Sequence, residues 1–307
     1  MSLFYRQHPQ HGFSLVEVMI ALTLGLFILA IAIAQIVAIN RHVLYANQDI
    51  QLDENARFVQ HLLSKDIKQA RLWRVLKAYS IISGSANLPP LSYSLCPTGN
   101  TAWARQIQQA VYALNDTSDD YQCVKGDDYL ASDILTLRGL QTPIPSKIDK
   151  DEFYLRSRGL EYKFYRGSQQ HAAVNNFIGS SINRAIFAHS YYIGKTKRQC
   201  RKIAIPALYW QTLTNGRPQQ QELVSGVEQL QLMFSIDSDQ DSKPDMYAHP
   251  HQISQWHQVK GIYIELLLRS ECPITDVSIK KNFQLGDKEW QFNDSFLRRK
   301  YQFYFRI

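Results

Sequence analysis

Residues 237 to 245 read DSDQDSKPD, which places Asp237, Asp239, Asp241 and Asp245 at positions 1, 3, 5 and 9 of a short loop. Carboxylates at that spacing, with the backbone carbonyl of Lys243 at position 7, can converge on Ca2+, a hard cation that collects oxygen ligands. Without a cation these acids repel one another. The loop departs from an EF-hand: Ser242 stands where the turn glycine would be, Pro244 follows Lys243, and Ala248 occupies the place of the bidentate Glu. The alternative is a solvated hairpin loop rich in turn formers. Calcium at Asp237, Asp239, Asp241, Lys243 and Asp245 is therefore an expectation set against a plain turn.

Other groupings are thinner. HPHQISQWH holds His249, His251 and His257 but no nearby fourth ligand for a transition metal. GKT at 194–196 ends like a phosphate loop, yet His189 stands where that motif needs glycine. FLRRKYQFYF mixes Arg298, Arg299 and Lys300 with aromatics, a pattern that suits nucleic acid or, more simply, a basic strand end beside a buried aromatic face. No G-x-S-x-G and no H-E-x-x-H occurs, so nothing points to an enzyme.

One further carboxylate sits in unusual surroundings. From Phe13 to Ile39 the chain is apolar enough to span a bilayer, which takes about 20 such residues, yet it contains Glu17. An ionised carboxylate in the hydrocarbon costs roughly 2–3 kcal/mol or more, so Glu17 needs a partner. A small residue, Gly12, lies just before the apolar run. Cleavage after it would remove MSLFYRQHPQHG, leave the helix in place, and make Phe13 the first residue and Glu17 the fifth.

The order of Arg6, Gly12, Phe13 and SLVEVMIALTLG resembles the type III signal of type IV pilins and pseudopilins. The resemblance implies cleavage between Gly12 and Phe13 and N-methylation of Phe13 by a prepilin peptidase. It also implies that Glu17 pairs with the amino terminus of a neighbouring subunit during assembly.

These residues need a scaffold. The chain has 307 residues with a net charge of +7, and its 45% hydrophobic content supports one moderate soluble domain or two small ones beyond a single span. The basic residues are scattered, which favours a solvated surface over a dedicated nucleic-acid patch. Cys96, Cys123, Cys200 and Cys272 form no C-x-x-C. An even count in an exported domain suggests two disulfides, with three pairings open. Cys96–Cys123 is favoured because both lie in one loop-rich region, and Cys200–Cys272 follows by remainder.

The stem continues past the apolar run. Leu44, Leu52, Phe58, Leu62 and Ile67 recur near helical spacing, and no Pro or Gly interrupts before Gly84. A helix over 13–79 would be about 100 Å long, its first part in membrane or fibre and its second amphipathic. Beyond residue 80, period-2 alternation marks antiparallel strands at Leu230–Ile236, Ile262–Leu268 and Tyr301–Ile307. SDILTLRG, LEYKFYR, FAHSYYIG and IAIPALYW read as further strands. The fold class is α+β, a long N-terminal helix laid on an antiparallel sheet. The expected domains are a leader at 1–12, the helix at 13–79 with its transmembrane part at about 13–39, and a β-rich extracytoplasmic domain at 80–307.

Several segments in this order resemble the PilW family of minor pilins: ENARFVQHLLSKDIKQA, SDILTLRG, SYYIG, PALYW, QELVSGVEQLQLMFSIDSDQD, QVKGIYIELLLRS and FLRRKYQFYFRI. The resemblance implies the type IV pilin fold and a minor pilin that helps to initiate pilus assembly near the fibre tip, in motility, adhesion or DNA uptake. The implied partners are other minor pilins, the major pilin, the prepilin peptidase and the inner-membrane assembly platform, with DNA as a further candidate. The implied location is the inner membrane before assembly and the extracytoplasmic fibre afterwards. Two alternatives stay open: a membrane-anchored DNA- or surface-binding competence pilin, and a minor pseudopilin of a type II secretion system.

Overall fold

The computed structural model describes residues 12, 14–74, 82–83, 102–107, 109–118, 128–141, 147–158, 161–169, 181–239, 241, 243–275 and 277–307. Residues 1–11, Phe13, the expected helix end at 75–79, Cys96 and Cys123 lie outside the described residues. Two units form, Met1–Gln48 and Asp49–Ile307, and helix α1 (Leu15–Arg74) contributes residues to both.

In the first unit the apolar side chains from Leu15 to Ile39 are exposed. Mean hydropathy reaches 2.6 in a window of which no part is buried, so the helix is long and apolar enough to cross a membrane.

In the second unit α1 turns amphipathic. Leu52, Ala56, Val59, Leu63, Ile67 and Ala70 are all buried, and their steps of three and four residues form one helical stripe. The spacing of large apolar residues predicts a stripe through Leu44, Leu52, Phe58, Leu62 and Ile67, of which Leu52 and Ile67 lie in the buried stripe. Leu44 and Phe58 are exposed and Leu62 packs only at the edge. Small residues, Ala56 and Ala70, hold places in the real stripe because they let the helix approach the sheets closely.

The strands follow. β1 (Ile82–Ser83) and a short helix α2 (Ala102–Arg105) precede β2 (Val111–Leu114), β3 (Ile134–Leu140), β4 (Phe153–Arg158) and β5 (Glu161–Arg166). Then come β6 (Ile182–Cys200), β7 (Ile203–Thr214), β8 (Arg217–Ser225), β9 (Val227–Ile236) and β10 (Met246–Ala248). The last are β11 (Val259–Arg269), β12 (Ile279–Leu285), β13 (Lys288–Asp294) and β14 (Arg298–Arg306).

The first sheet runs β1-β5-β4-β6-β3-β2, with β7 on β6 and β8 on β7. The second runs β10-β9-β11-β14, antiparallel throughout, and β12–β13 is a separate hairpin. Asn215 and Gly216 both take positive φ between β7 and β8, the backbone that a two-residue hairpin turn requires. Pro206, which has no N–H to give the ladder, pairs with Lys195 where the β6–β7 register shifts.

The alternation expected of β9 and β11 is present. Leu230, Leu232, Phe234, Ile262, Ile264, Leu266 and Leu268 are buried and share one core with the α1 stripe, β3 and β6. Each such side chain contributes about 1.5–3 kcal/mol by leaving water. Cys200 and Cys272 form a disulfide with Cα atoms 5.4 Å apart, as expected from the pairing by remainder.

Candidate functional site

The N-terminal site is built from four residues of one helix start. Ser14 precedes α1, and the Ser14 N–H donates to Glu17 Oε2 at 2.9 Å. In return the Glu17 N–H donates to Ser14 Oγ at 3.1 Å, and the Val18 N–H closes the first turn on the Ser14 carbonyl at 3.2 Å. This is a capping box, which satisfies donors that a helix start would otherwise leave bare. The carboxylate also sits where the helix dipole favours negative charge. Glu17 thus has a local partner within its own chain. Sequence reasoning missed Ser14, although Ser-x-x-Glu ahead of an apolar run is its signal. Gly12 has no neighbouring atom within 4 Å of where a Cβ would lie, so its backbone stands open.

The acidic loop joins β9 to β10. Asp237, Asp239 and Asp245 each offer a carboxylate oxygen within 4.8 Å of one another. Asp241 is engaged elsewhere: its Oδ1 accepts the Lys243 N–H at 2.7 Å. Asp245 Oδ2 accepts both the hydroxyl and the N–H of Ser238 at 2.6 Å, and these bonds hold its carboxyl below the ordinary range. Asp237 is fully buried, with Lys260 Nζ 2.6 Å from its Oδ2. Three hard oxygen donors converge, which suits a cation such as calcium, and Lys260 stands as the resident counter-charge.

The basic C-terminal strand is committed to internal partners. Arg298 is buried between Glu228, at 2.6 and 3.1 Å, and Asp294, at 2.5 and 2.8 Å. Arg299 pairs with Asp49 on α1, and Lys300 Nζ lies 2.9 Å from Glu265. These cations are each paired with an acid within the fold. The rings of His249 and His251 lie parallel at 6.2 Å. Among the described residues the only convergent metal-type donors are the three aspartates.

Two family models match the chain. Residues 190–307, from the middle of β6 to the C-terminus, match Type IV Pilus-assembly protein W. Residues 7–33 match the prokaryotic N-terminal methylation motif, which brackets Gly12, Phe13 and Glu17. No curated protein and no solved structure matches. The capped apolar helix, the antiparallel strands and these two matches are together those expected of a PilW-type pilin with a prepilin signal, to which the two ends of the chain are similar.

Proposed function

We propose that this pilin helps to initiate assembly of a type IV pilus and sits at or near its tip, in support of twitching motility, adhesion or DNA uptake. The observation that carries the reading is the joint match of the methylation motif and the PilW model to the two ends of one chain. Cleavage falls between Gly12 and Phe13, and the new Phe13 amine is methylated. The apolar part of α1 holds the subunit in the inner membrane before assembly and in the fibre afterwards. On assembly the Glu17 carboxylate exchanges the Ser14 N–H for the amine of a neighbouring subunit. Other minor pilins, the major pilin and the assembly platform are its partners.

Deletion of the gene tests this. Loss of surface pili, restored by the wild-type chain but not by Gly12→Leu, is the expected result, since a bulky side chain blocks the peptidase's approach to the backbone. Mass spectrometry of the mature chain should begin at methylated Phe13. Normal pili with lost DNA binding would favour the competence pilin instead. Normal pili with lost enzyme secretion would favour a minor pseudopilin.

For the acidic loop we infer Ca2+ as the ligand, held by Asp237, Asp239 and Asp245 with displacement of Lys260 Nζ. The convergence of their oxygens supports this.

A further inference from the structure

We propose that the outer face of the C-terminal sheet binds a neutral saccharide, independently of the assembly role. A cavity of about 410 Å³ lies over β9, β11 and β14, bounded by Gly286 at the β12–β13 turn and by His249. That volume is in the range of small-molecule sites.

The floor of the cavity is laid down by strand alternation. Tyr263 on β11 stands opposite Met233 on β9 and Tyr304 on β14. Two residues along, Glu265 stands opposite Gln231 and Gln302. One cross-strand row is therefore aromatic and thioether, and the next is carboxylate and amide. They are about 6.7 Å apart, the repeat of two strand residues. A pyranose has the matching division, a C–H face that lies on the negative face of an aromatic ring and a rim of hydroxyls.

The aromatic row is open to solvent. Tyr304 lies 4.5 Å from Tyr263 between ring centroids, and Tyr247 meets Tyr263 edge-on at 5.4 Å. Tyr247 and Tyr304 are 53% and 47% exposed, unusually so for large rings in a sheet. Gly261 makes room for this arrangement: a Cβ there would come within 2.4 Å of the Tyr304 hydroxyl, so glycine lets the ring lie over β11.

Charge decides the ligand class. Glu265 accepts the Gly286 N–H at 2.7 Å, lies 2.9 Å from Lys300 Nζ, and also accepts the Gln302 amide. Burial pushes its carboxyl up, but these three donors outweigh burial and hold it below the ordinary range. The carboxylate is thus matched within the wall. A cationic ligand would meet Lys300 without gaining an unmatched acid, and an anion would meet Glu265. The Gln231 and Gln302 amide nitrogens donate to Asp116 and Glu265, so a wholly apolar ligand would leave the amide carbonyls, that of Gln231 among them, facing it without partners, at a desolvation cost. An uncharged, hydroxylated ring meets neither penalty. The Gln302 amide nitrogen is taken by Glu265, which leaves its carbonyl to accept a hydroxyl at one end of the ligand, while the Tyr304 hydroxyl lies over Gly261 at the far side of the aromatic row.

The test uses the full chain in a polyoxyethylene detergent, whose head group carries no sugar. Maltose, cellobiose, lactose and diacetylchitobiose are titrated, with saturation-transfer NMR and tyrosine fluorescence as readouts. At least one should bind with a Kd on the order of 1 mM. Tyr263→Ala and Tyr304→Ala should each weaken it at least tenfold, and Tyr304→Phe should retain most of the affinity. Circular dichroism of each variant confirms that it is folded. No binding up to roughly 50 mM, binding that survives both alanine variants, or binding of tetramethylammonium in place of sugars would overturn the proposal. Pilus number is scored separately, so failure here leaves the assembly reading untouched.

Discussion

The Asp133 carboxylate accepts the Leu232 N–H at 2.7 Å, while the Asp133 N–H donates to the Leu230 carbonyl at 2.9 Å. β10 covers β9 only from Phe234 to Ile236, so Asp133 stands in for a neighbouring strand along 230–232. It ties the first sheet, through the start of β3, to the second. Its other oxygen accepts the Asp116 N–H at 3.1 Å. Burial, and then the Asp116 carboxylate, push the Asp133 carboxyl up to about 8 against the opposing pull of the two backbone donors.

Stability should therefore fall as pH rises. An acid whose folded pKa lies above its unfolded value holds its proton more tightly when folded, so folding loses ground between pH of about 4 and about 8. Asp133→Asn should flatten that slope. It should also lower stability throughout, because an amide has only one acceptor for two N–H donors. Melting temperatures of both proteins from pH 4 to pH 9 check this. Parallel slopes would show that Asp133 does not titrate in that window.

The sheet core was legible because half-buried strands write period 2 into the sequence, as at Leu230–Ile236 and Ile262–Leu268. The Cys200–Cys272 bridge was legible from cysteine parity and position. What the sequence hid are contacts with no local pattern. Asp133 in ASDILTL looks like a turn residue, and its partner Leu232 lies 99 positions away. The link from Arg299 to Asp49 crosses 250 positions. The helix stripe was legible at Leu52 and Ile67, but Phe58 and Leu62 each sit one position before the buried Val59 and Leu63, and Ala56 and Ala70 carry little hydropathy signal. At the acidic loop the spacing of four aspartates was visible, but the engagement of Asp241 by Lys243 and of Asp237 by Lys260 was not.

A second buried acid fastens the helix. Asp66 Oδ2 accepts the Tyr191 hydroxyl at 2.5 Å and also bonds the His189 ring, which stacks on Trp210 at 3.9 Å. Burial, then Asp66, drives the Tyr191 hydroxyl well above its ordinary pKa. Tyr191→Phe should destabilise the β-rich unit by about 1–2 kcal/mol, and Asp66→Ala by more, because it strands two buried donors. Urea unfolding monitored by tryptophan fluorescence measures both. Equal midpoints for wild type and Asp66→Ala would show that the contact contributes nothing.

Arg298 is the hub of the C-terminal strand, with Glu228 and Asp294 on its guanidinium and the Phe292 ring 3.7 Å away. Arg298→Ala would leave Asp294 without its counter-ion and Glu228 with only Arg269 at 3.6 Å, and should cost about 3–5 kcal/mol. Arg298→Lys keeps the charge but loses the two-sided fork, so it should recover only part of that loss. Limited proteolysis across the β12–β13 hairpin gives a second readout, with cleavage ranked alanine, lysine, wild type. Full recovery by lysine would reduce the hub to simple charge.

Calcium should raise the melting temperature relative to chelator, by several degrees if the ion is present at about 100 times its Kd, where binding adds about 2.7 kcal/mol. Asp239→Asn keeps an acceptor for the Asp241 N–H, now at 3.1 Å, and removes one charge, so the shift should shrink sharply. Sodium at matched ionic strength separates binding from screening. A melting curve indifferent to calcium would leave a turn closed by Ser238, Lys243 and Lys260.

Glu17 has two possible duties, and one substitution separates them. As the third residue of a capping box it needs only an oxygen acceptor, a role that glutamine fills as well. As partner to a neighbour's amine it needs its charge. Glu17→Gln should therefore keep the Ser14 N–H bond, helix start and membrane insertion, and insertion should improve as a charge leaves the hydrocarbon. Incorporation into sheared pili should nevertheless drop, as it should for Glu17→Ala. Ser14→Ala makes the converse change: it removes the acceptor for the Glu17 N–H and weakens the helix start by about 0.5–2 kcal/mol, with the charge and assembly retained. Immunoblots of membrane and sheared-fibre fractions report both quantities in the same cells. If glutamine supported normal incorporation, the carboxylate would serve the cap alone and the exchange with a neighbouring amine would be wrong.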